Sequence, residues 1–261
     1  MPGFISRQER FAVVGSTNDV VRGWLADGIP EVCLAVAEEQ TAGRGRDGRT
    51  WTAPRGAALL LSLGFRPTWL GAEHAWRLAA MVSMAMAEAA DAAIGAPSGT
   101  IGLKWPNDLV VESGDAVLKL AGVLGETDGL GTSDPRVVVG IGVNTNWRAA
   151  DFPAELAGSM TSLRELADRP IDPAALLDAF LQRLESMVER PRSVGFDGDA
   201  WAARQVTTAR DVVLVAPDGS TDTVRATGVD TDSGALVIGE RRVVVGEIRH
   251  VRVGAPQRIA V

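Results

Sequence analysis

Apolar positions in the first two thirds of the chain switch between a helical period and short strand-like runs. Residues 11–14 read as a short strand. Ser16-Thr17-Asn18-Asp19 then has the S-x-x-D form of a capping box ahead of Val20, Val21, Trp24 and Leu25, a helical face that Gly28 closes. Residues 32–37 and the run AALLLSLGF, 57–65, predict two more strands. Over 73–93 the positions Trp76, Ala79, Ala80, Val82, Met86 and Ala89 predict a long helix, and its many alanines imply close packing on a sheet. Further strands are expected at 101–103, 120–126 and 137–143. A last amphipathic helix over 173–190 has Leu176, Leu177, Phe180, Leu184 and Val188 on one face. This alternation predicts a mixed α/β (α+β) layer architecture.

The pattern changes from about residue 207. Short β segments at 212–215, 224–229, 236–238, 243–245 and 248–253 alternate with turn sequences such as Pro217-Asp218-Gly219 and Asp232-Ser233-Gly234, a spacing that suggests a small barrel. The stretch 191–198, rich in Pro, Gly and charge, is the linker candidate. The expected division is a catalytic domain over 1–190, a linker with a connecting helix over 191–206, and a barrel over 207–261. No internal repeat or low-complexity tract appears.

Composition narrows the class. With 46% hydrophobic and 23% charged residues in 261, the chain is globular rather than disordered or fibrous. The most apolar helix candidate, 78–87, is bounded by Arg77 and Glu88 and falls short of the ~20 residues of a membrane span; the N-terminus MPGFISRQERF has no signal-peptide core. The single Cys33 sits in a strand-like run, where burial is expected, and cannot form an internal disulfide. A reducing cytoplasm is the expected location. A net charge of −7 argues against general nucleic-acid affinity.

Against that acidic background, residues 37–51, AEEQTAGRGRDGRTW, form a local positive island. Gly43, Gly45 and Gly48 have the G-x-G-x-x-G spacing of a dinucleotide-binding turn. That turn requires a helix directly after the glycines and an acidic residue ~20 positions after the first. Here a strand follows, and no Asp or Glu lies between Asp47 and Glu73, so the dehydrogenase reading fails. Four other segments place polar or glycine residues at strand ends: GSTN (15–18), LKWPND (103–108), KLAGVLGE (119–126) and GIGVN (140–144). Each has a bland structural explanation taken alone. Ser16 and Asn18 can cap a helix, Trp51 and Trp105 can be core, Asn107-Asp108 can be a turn, and GIGVN can mark a close backbone approach.

Taken together, these segments resemble the biotin protein ligases, which adenylate biotin and pass it to a carrier-protein lysine. The family's G-R-G-R-x-G-R-x-W stands in full as Gly43 to Trp51, its K-W-P-N-D as Lys104 to Asp108, and its lysine-glycine strand as Lys119-Leu120-Ala121-Gly122. The likeness runs over roughly residues 11 to 253. It implies the biotin/lipoate ligase fold, a mixed sheet with packed helices and a small C-terminal SH3-like barrel. It also implies ATP and biotin as substrates, Mg²⁺, and as partner a biotin carboxyl carrier domain of an acyl-CoA or pyruvate carboxylase, and it allows a homodimer. Biotin or its adenylate is expected at Ser16, Thr17, Asn18, Gln40, Gly43, Arg44, Gly45, Arg46, Lys119 and Gly122. The nucleotide is expected at Arg46, Arg49, Trp51, Lys104, Asn107 and Asn144, with Trp51 stacking on adenine. Lys119, Arg44 and Arg46 are the expected catalytic groups. No cluster has metal-ligand spacing, and Asp108 is at most a candidate.

The chemistry suits these residues. Attack of a carboxylate on the α-phosphorus of ATP brings two anions together, so fixed positive charge is needed where charge develops. Arg44, Arg46, Lys104 and Lys119 can supply it, and glycines let backbone amides approach phosphate oxygens.

Three departures from the family pattern stand out. GSTN begins at residue 15, leaving no room for the N-terminal helix-turn-helix of repressor relatives, so a ligase without sequence-specific DNA binding is expected. VESGDAVLK is somewhat longer than a tight hairpin, which leaves the register of 111–118 open. TTARDVVLV lacks a glycine expected near 209 or 210. The alternatives are a lipoate or octanoate ligase or transferase on the same fold, and an arginine-glycine RNA-binding module. Ser16, Thr17 and Gln40 offer hydrogen bonds that a ureido ring wants and a plain acyl chain would leave unmade, at ~1–3 kcal/mol each. An RNA binder would interleave aromatics with a basic field, and the loop holds one aromatic residue.

Overall fold

The computed structural model describes residues 3–193 and 195–250. One seven-stranded sheet organises most of the chain. It comprises β1 (Arg7–Phe11), β2 (Cys33–Ala37), β3 (Ala58–Phe65), β4 (Gly102–Lys104), β5 (Asp108–Ser113), β6 (Ala116–Asp128) and β7 (Arg136–Asn144), in the spatial order β1-β2-β3-β7-β6-β5-β4. Only β1 and β2 pair in parallel.

Side-chain alternation assigns the two faces. Leu59, Leu61, Leu63 and Phe65 of β3, with Val137, Val139, Ile141 and Val143 of β7, pack against α2 (Trp76–Ile94). The short α3 (Leu163–Ala167) and then α4 (Pro173–Ser193) complete that layer, α4 contributing Leu176, Leu177, Phe180, Leu184 and Val188. Burying each such side chain contributes about 1.5–3 kcal/mol. The opposite face is covered only in part, by α1 (Thr17–Ala26), whose Val21, Trp24 and Leu25 meet Cys33, Ala35 and Val138. Gly64 lies under that helix, and a Cβ there would fall 2.6 Å from Cys33 Sγ. Cys33 is fully buried, as expected, and burial pushes its thiol up to about 11.

After α5 (Gly198–Ala203) come two small antiparallel sheets where the barrel is expected. One contains β8 (Arg210–Val215), β9 (Thr221–Ala226) and β13 (Glu247–His250); the other contains β10 (Gly228–Val229), β11 (Leu236–Ile238) and β12 (Arg241–Val243). They enclose Val212, Leu214, Ala226, Leu236 and Ile248, and Trp105, in the turn between β4 and β5, plugs the same core. The indole Nε1 of Trp105 donates to Gly234 O at 3.0 Å. The connecting peptide also pairs with the edge of β4: Leu103 N donates to Arg204 O, and Val206 N donates to Leu103 O. Buried Asp91 at the end of α2 accepts from the amides of Gly99 and Ile101 and forms an ion pair with Arg204 at 3.2 Å.

Several sequence expectations need correction. The first strand lies at Arg7–Phe11 rather than 11–14, and Val14 makes only an isolated bridge to Gln40. It is an edge strand with a charged RQERF sequence, held by backbone pairing that a search for apolar runs does not register. The segment after Lys104 is a tight hairpin, contrary to the longer connection expected: Ser113 pairs with Ala116 across Gly114 and Asp115, with Gly114 at φ +58°. α4 continues to Ser193, into the expected linker. The apolar run 224–229 divides into β9 and β10. Position 209, where a glycine was expected, holds Ala209 at φ +59°. The last part of the expected strand 248–253, from residue 251, lies outside the described residues.

Candidate active site

The partly uncovered sheet face carries serine and glycines among its leucines, where the other face is leucine and valine. Across the strands, Ser62 is in register with Gly140 and Leu124, while Leu60, Gly142, Gly122 and Asp108 form the next row. These rows floor a cleft. Trp51 lies flat on the second row, and a Cβ at Gly142 would come 2.5 Å from its Cε2. Asn18 occupies the space over Gly140 that a side chain there would need. GIGVN therefore is a close approach, of β7 to helix α1 at Gly140 and to the Trp51 ring at Gly142.

A β-bulge brings Lys119 to this face. Leu109 pairs with Ala121 but Val110 with Lys119, so Leu120 is the extra residue. Both Leu120 and Ala121 turn to the core. Lys119 Nζ stands 3.3 Å from where a Gly122 Cβ would be, and 5.6 Å from the Trp51 ring centroid. Its ammonium lies 2.6 Å from Asp108 Oδ1. The Lys119 backbone is anchored by bonds to Ser159 and Thr161.

The arginine loop folds over the cleft as a self-bonded turn. Gly45 N donates to Arg49 O and Trp51 N donates to Gly43 O, while Asp47 and Gly48 take left-handed conformations. A Cβ at Gly43 would collide with the Trp51 carbonyl. Arg44 forms a bidentate pair with Asp19, both contacts 2.8 Å, and approaches Glu126. Asp19 holds the Arg44 guanidinium charged, and Arg44 in turn lowers the Asp19 carboxyl below its ordinary value. Arg46 donates to Gly246 O at 3.4 Å, and Arg49 pairs with Glu247 of β13, which lowers the Glu247 carboxyl. Lys104 makes no ion pair among the described residues, and burial lowers its pKa, with the charge of Asp108 opposing that shift.

At the closed end, Thr17 N donates to Gln40 Oε1 at 2.7 Å, Ser62 Oγ lies 2.5 Å from Asn18 Oδ1, and Asn18 Nδ2 donates to Glu126 at 2.6 Å. Helix α1 begins at Thr17, with Ser16 as N-cap but no side-chain capping bond. The STN segment is therefore turned to the cleft.

Most residues singled out in the sequence line one cleft: Ser16, Thr17, Asn18, Gln40, Arg44, Gly45, Arg46, Arg49, Trp51, Lys104, Asn107, Asp108, Lys119 and Gly122. Gly43 lines the adjoining groove instead. Asn144 lies outside both, its amide donating to Thr161 O at 3.0 Å. Asn107 donates to Val123 O, which fixes the K-W-P-N-D turn to β6. Sequence reasoning missed Asp19, Ser62, Glu126 and Glu247. Ser62 alone carried a local signal, as the one polar residue inside an apolar strand. Among the described residues no group of three or more His, Cys, Asp or Glu side chains could hold a metal ion.

A cationic loop over this cleft, with a buried polar knot and a lysine among its lining, suits a ligase that activates a carboxylate. The chain belongs to the Biotin/lipoate A/B protein ligase family, whose sequence profile matches residues 11–144. It is 32% identical over 247 residues to the biotin–[acetyl-CoA-carboxylase] ligase of Mycobacterium tuberculosis, covering 92% of this chain and 88% of that one. A ligase of the same description from Paracoccus denitrificans is 33% identical over 218 residues, covering 82% and 87%. The solved biotin protein ligase from Aquifex aeolicus in complex with biotin and ATP superposes with a TM-score of 0.76 at 25% identity, over 94% of this chain and 99% of that one.

Proposed function

We propose that this chain is a biotin protein ligase. It joins biotin to ATP as biotinyl-5′-AMP with release of pyrophosphate, then transfers the biotinyl group to a lysine of a carrier-protein domain. The observation that carries this reading is the cleft itself, which Thr17, Asn18, Gln40, Lys119 and the arginine loop line together, with Lys119 held at Asp108 and Arg44 at Asp19. A carboxylate oxygen of biotin attacks the α-phosphorus as the bond to the pyrophosphate oxygen breaks. Lys119 exchanges Asp108 for the carboxylate and α-phosphate, stabilising charge where it grows. In the second step the carrier amine attacks the acyl carbonyl, AMP leaves and the amine loses a proton. Trp51 supplies the flat surface for adenine.

We assign Mg²⁺ to the nucleotide, as MgATP, because this ion binds through substrate phosphates with few protein ligands and Asp108 faces Lys119. A carboxylase carrier domain as partner follows the names of the two bacterial relatives. The division at 1–190, 191–206 and 207–261, action in the cytoplasm and the absence of sequence-specific DNA binding belong to the same proposal. Among the described residues no helix is long and apolar enough to cross a membrane. The test is exchange of labelled pyrophosphate into ATP with biotin, lipoate or octanoate as the acid. Biotin alone should support it, and exchange with lipoate or octanoate but not biotin would overturn the assignment.

A further inference from the structure

Ser62 is fully buried in the middle of β3, among leucines, where a hydroxyl is unfavourable unless it is hydrogen-bonded. Its Oγ lies 2.5 Å from Asn18 Oδ1 and 2.7 Å from Thr17 Oγ1, and all three side chains are at least nine-tenths buried. Proton counting assigns the directions. The carboxylate of Glu126 can only accept, so the Asn18 amide turns its NH₂ there, at 2.6 Å, and its carbonyl toward Ser62. That carbonyl takes the one Ser62 proton. The contact between Ser62 and Thr17 then needs the Thr17 proton, which Gln40 Oε1 also claims at 2.9 Å although it already receives Thr17 N–H. Thr17 therefore has two protein acceptors for a single proton. Its hydroxyl points into the protein network and offers a lone pair to the cleft.

We infer that Ser62 is a positioning residue that sets specificity, orienting Thr17 and Asn18 so that the closed end of the cleft accepts an N–H from the ligand ring. The inference rests on the proposed function and deepens it, since the cyclic urea of biotin carries such an N–H and the dithiolane of lipoate or a plain acyl chain does not. Ser62 does not line the cleft and acts through its two neighbours. Without its hydroxyl, the Thr17 proton is held inward only by Gln40 Oε1, which already receives Thr17 N–H, and Asn18 Oδ1 loses its buried donor.

The experiment compares the parent with Ser62→Ala and with the near-isosteric weak donor Ser62→Cys in pyrophosphate exchange. KM is measured for biotin, for desthiobiotin, which keeps the ring urea, and for ATP, together with inhibition by octanoate. In Ser62→Ala, KM for biotin and desthiobiotin should rise roughly tenfold, the scale of one hydrogen bond together with a stranded buried acceptor. KM for ATP and inhibition by octanoate should stay within about twofold, and Ser62→Cys should fall between parent and alanine. If Ser62→Ala does not fold, a biotin-selective rise in Ser62→Cys carries the same meaning. A biotin KM matching the parent in every folded variant, or biotin and ATP constants rising together, would overturn the role of Ser62 and leave the assignment as a ligase intact. A parent that supports no exchange with biotin overturns both.

Discussion

Lys119 Nζ and Asp108 Oδ1 are 2.6 Å apart, so this cation of the cleft is already paired before any substrate arrives. The same holds for Arg44 against Asp19 and for Arg49 against Glu247. Binding of anionic substrates here is therefore an exchange of partners, with less desolvation to overcome than a bare buried charge would impose.

Removing the exchanging cation should show in the rate. Lys119→Gln is expected to slow adenylate formation by roughly 10²–10³, the scale for losing one preorganised electrostatic donor. Biotin binding should fall less, because the biotin contacts proposed for Thr17, Asn18 and Gln40 remain. Single-turnover adenylate formation and equilibrium biotin binding on one preparation separate the two. An unchanged rate, or a rate loss fully explained by weaker biotin binding, would show that Lys119 is not the catalytic cation.

Lys104 is the contrasting case, a cleft lysine without an ion pair among the described residues, whose pKa burial lowers. Its charge is retained below that lowered pKa and lost as pH rises through it. If the polyphosphate uses this charge, kcat/KM for ATP should decline at a more acid pH than an ordinary lysine would impose. Lys104→Arg, whose guanidinium stays charged, should move the alkaline limb upward. Superimposable pH profiles for parent and variant would remove Lys104 from the nucleotide site.

Ala209 holds a left-handed φ of +59° in an exposed turn at the start of β8. Relief of the Cβ clash outweighs the extra freedom glycine has when unfolded. Ala209→Gly is expected to stabilise the chain by about 0.5–1 kcal/mol, a rise in Tm of about 1–4 °C for a protein of this size. Calorimetry decides it, and a lower Tm would mean the turn is not strained.

The parts of the fold that could be read in advance are those where one stretch buries itself: β2, β3, β7 and the faces of α2 and α4. Motif spacing likewise marked the arginine loop and Lys119. What escaped depends on register between distant segments. Glu247 meets Arg49 across 198 positions, and Glu126 reaches Asn18 across 108. No local pattern encodes either contact. The bulge at Leu120 escaped too, because a one-residue slip that moves Lys119 to the cleft face leaves the apolar run LAGVLG looking like an ordinary strand. Asn107 and Asn144 illustrate the converse: both are conspicuous in the sequence, yet their amides are held by the backbone carbonyls of Val123 and Thr161.

The peptide at 204–206 lies along β4 and satisfies both backbone groups of Leu103. A chain cut before residue 204 would bare that strand border beside the K-W-P-N-D turn and remove Thr207, which accepts from Trp105 N. It would also strand Trp105 without the apolar pocket that now receives it. An uncovered strand next to an unseated tryptophan is a template for self-association. The C-terminal part thus covers an association-prone border of the large sheet as well as placing Gly246 and Glu247 against the arginine loop, and a chain of residues 1–203 would be expected to aggregate.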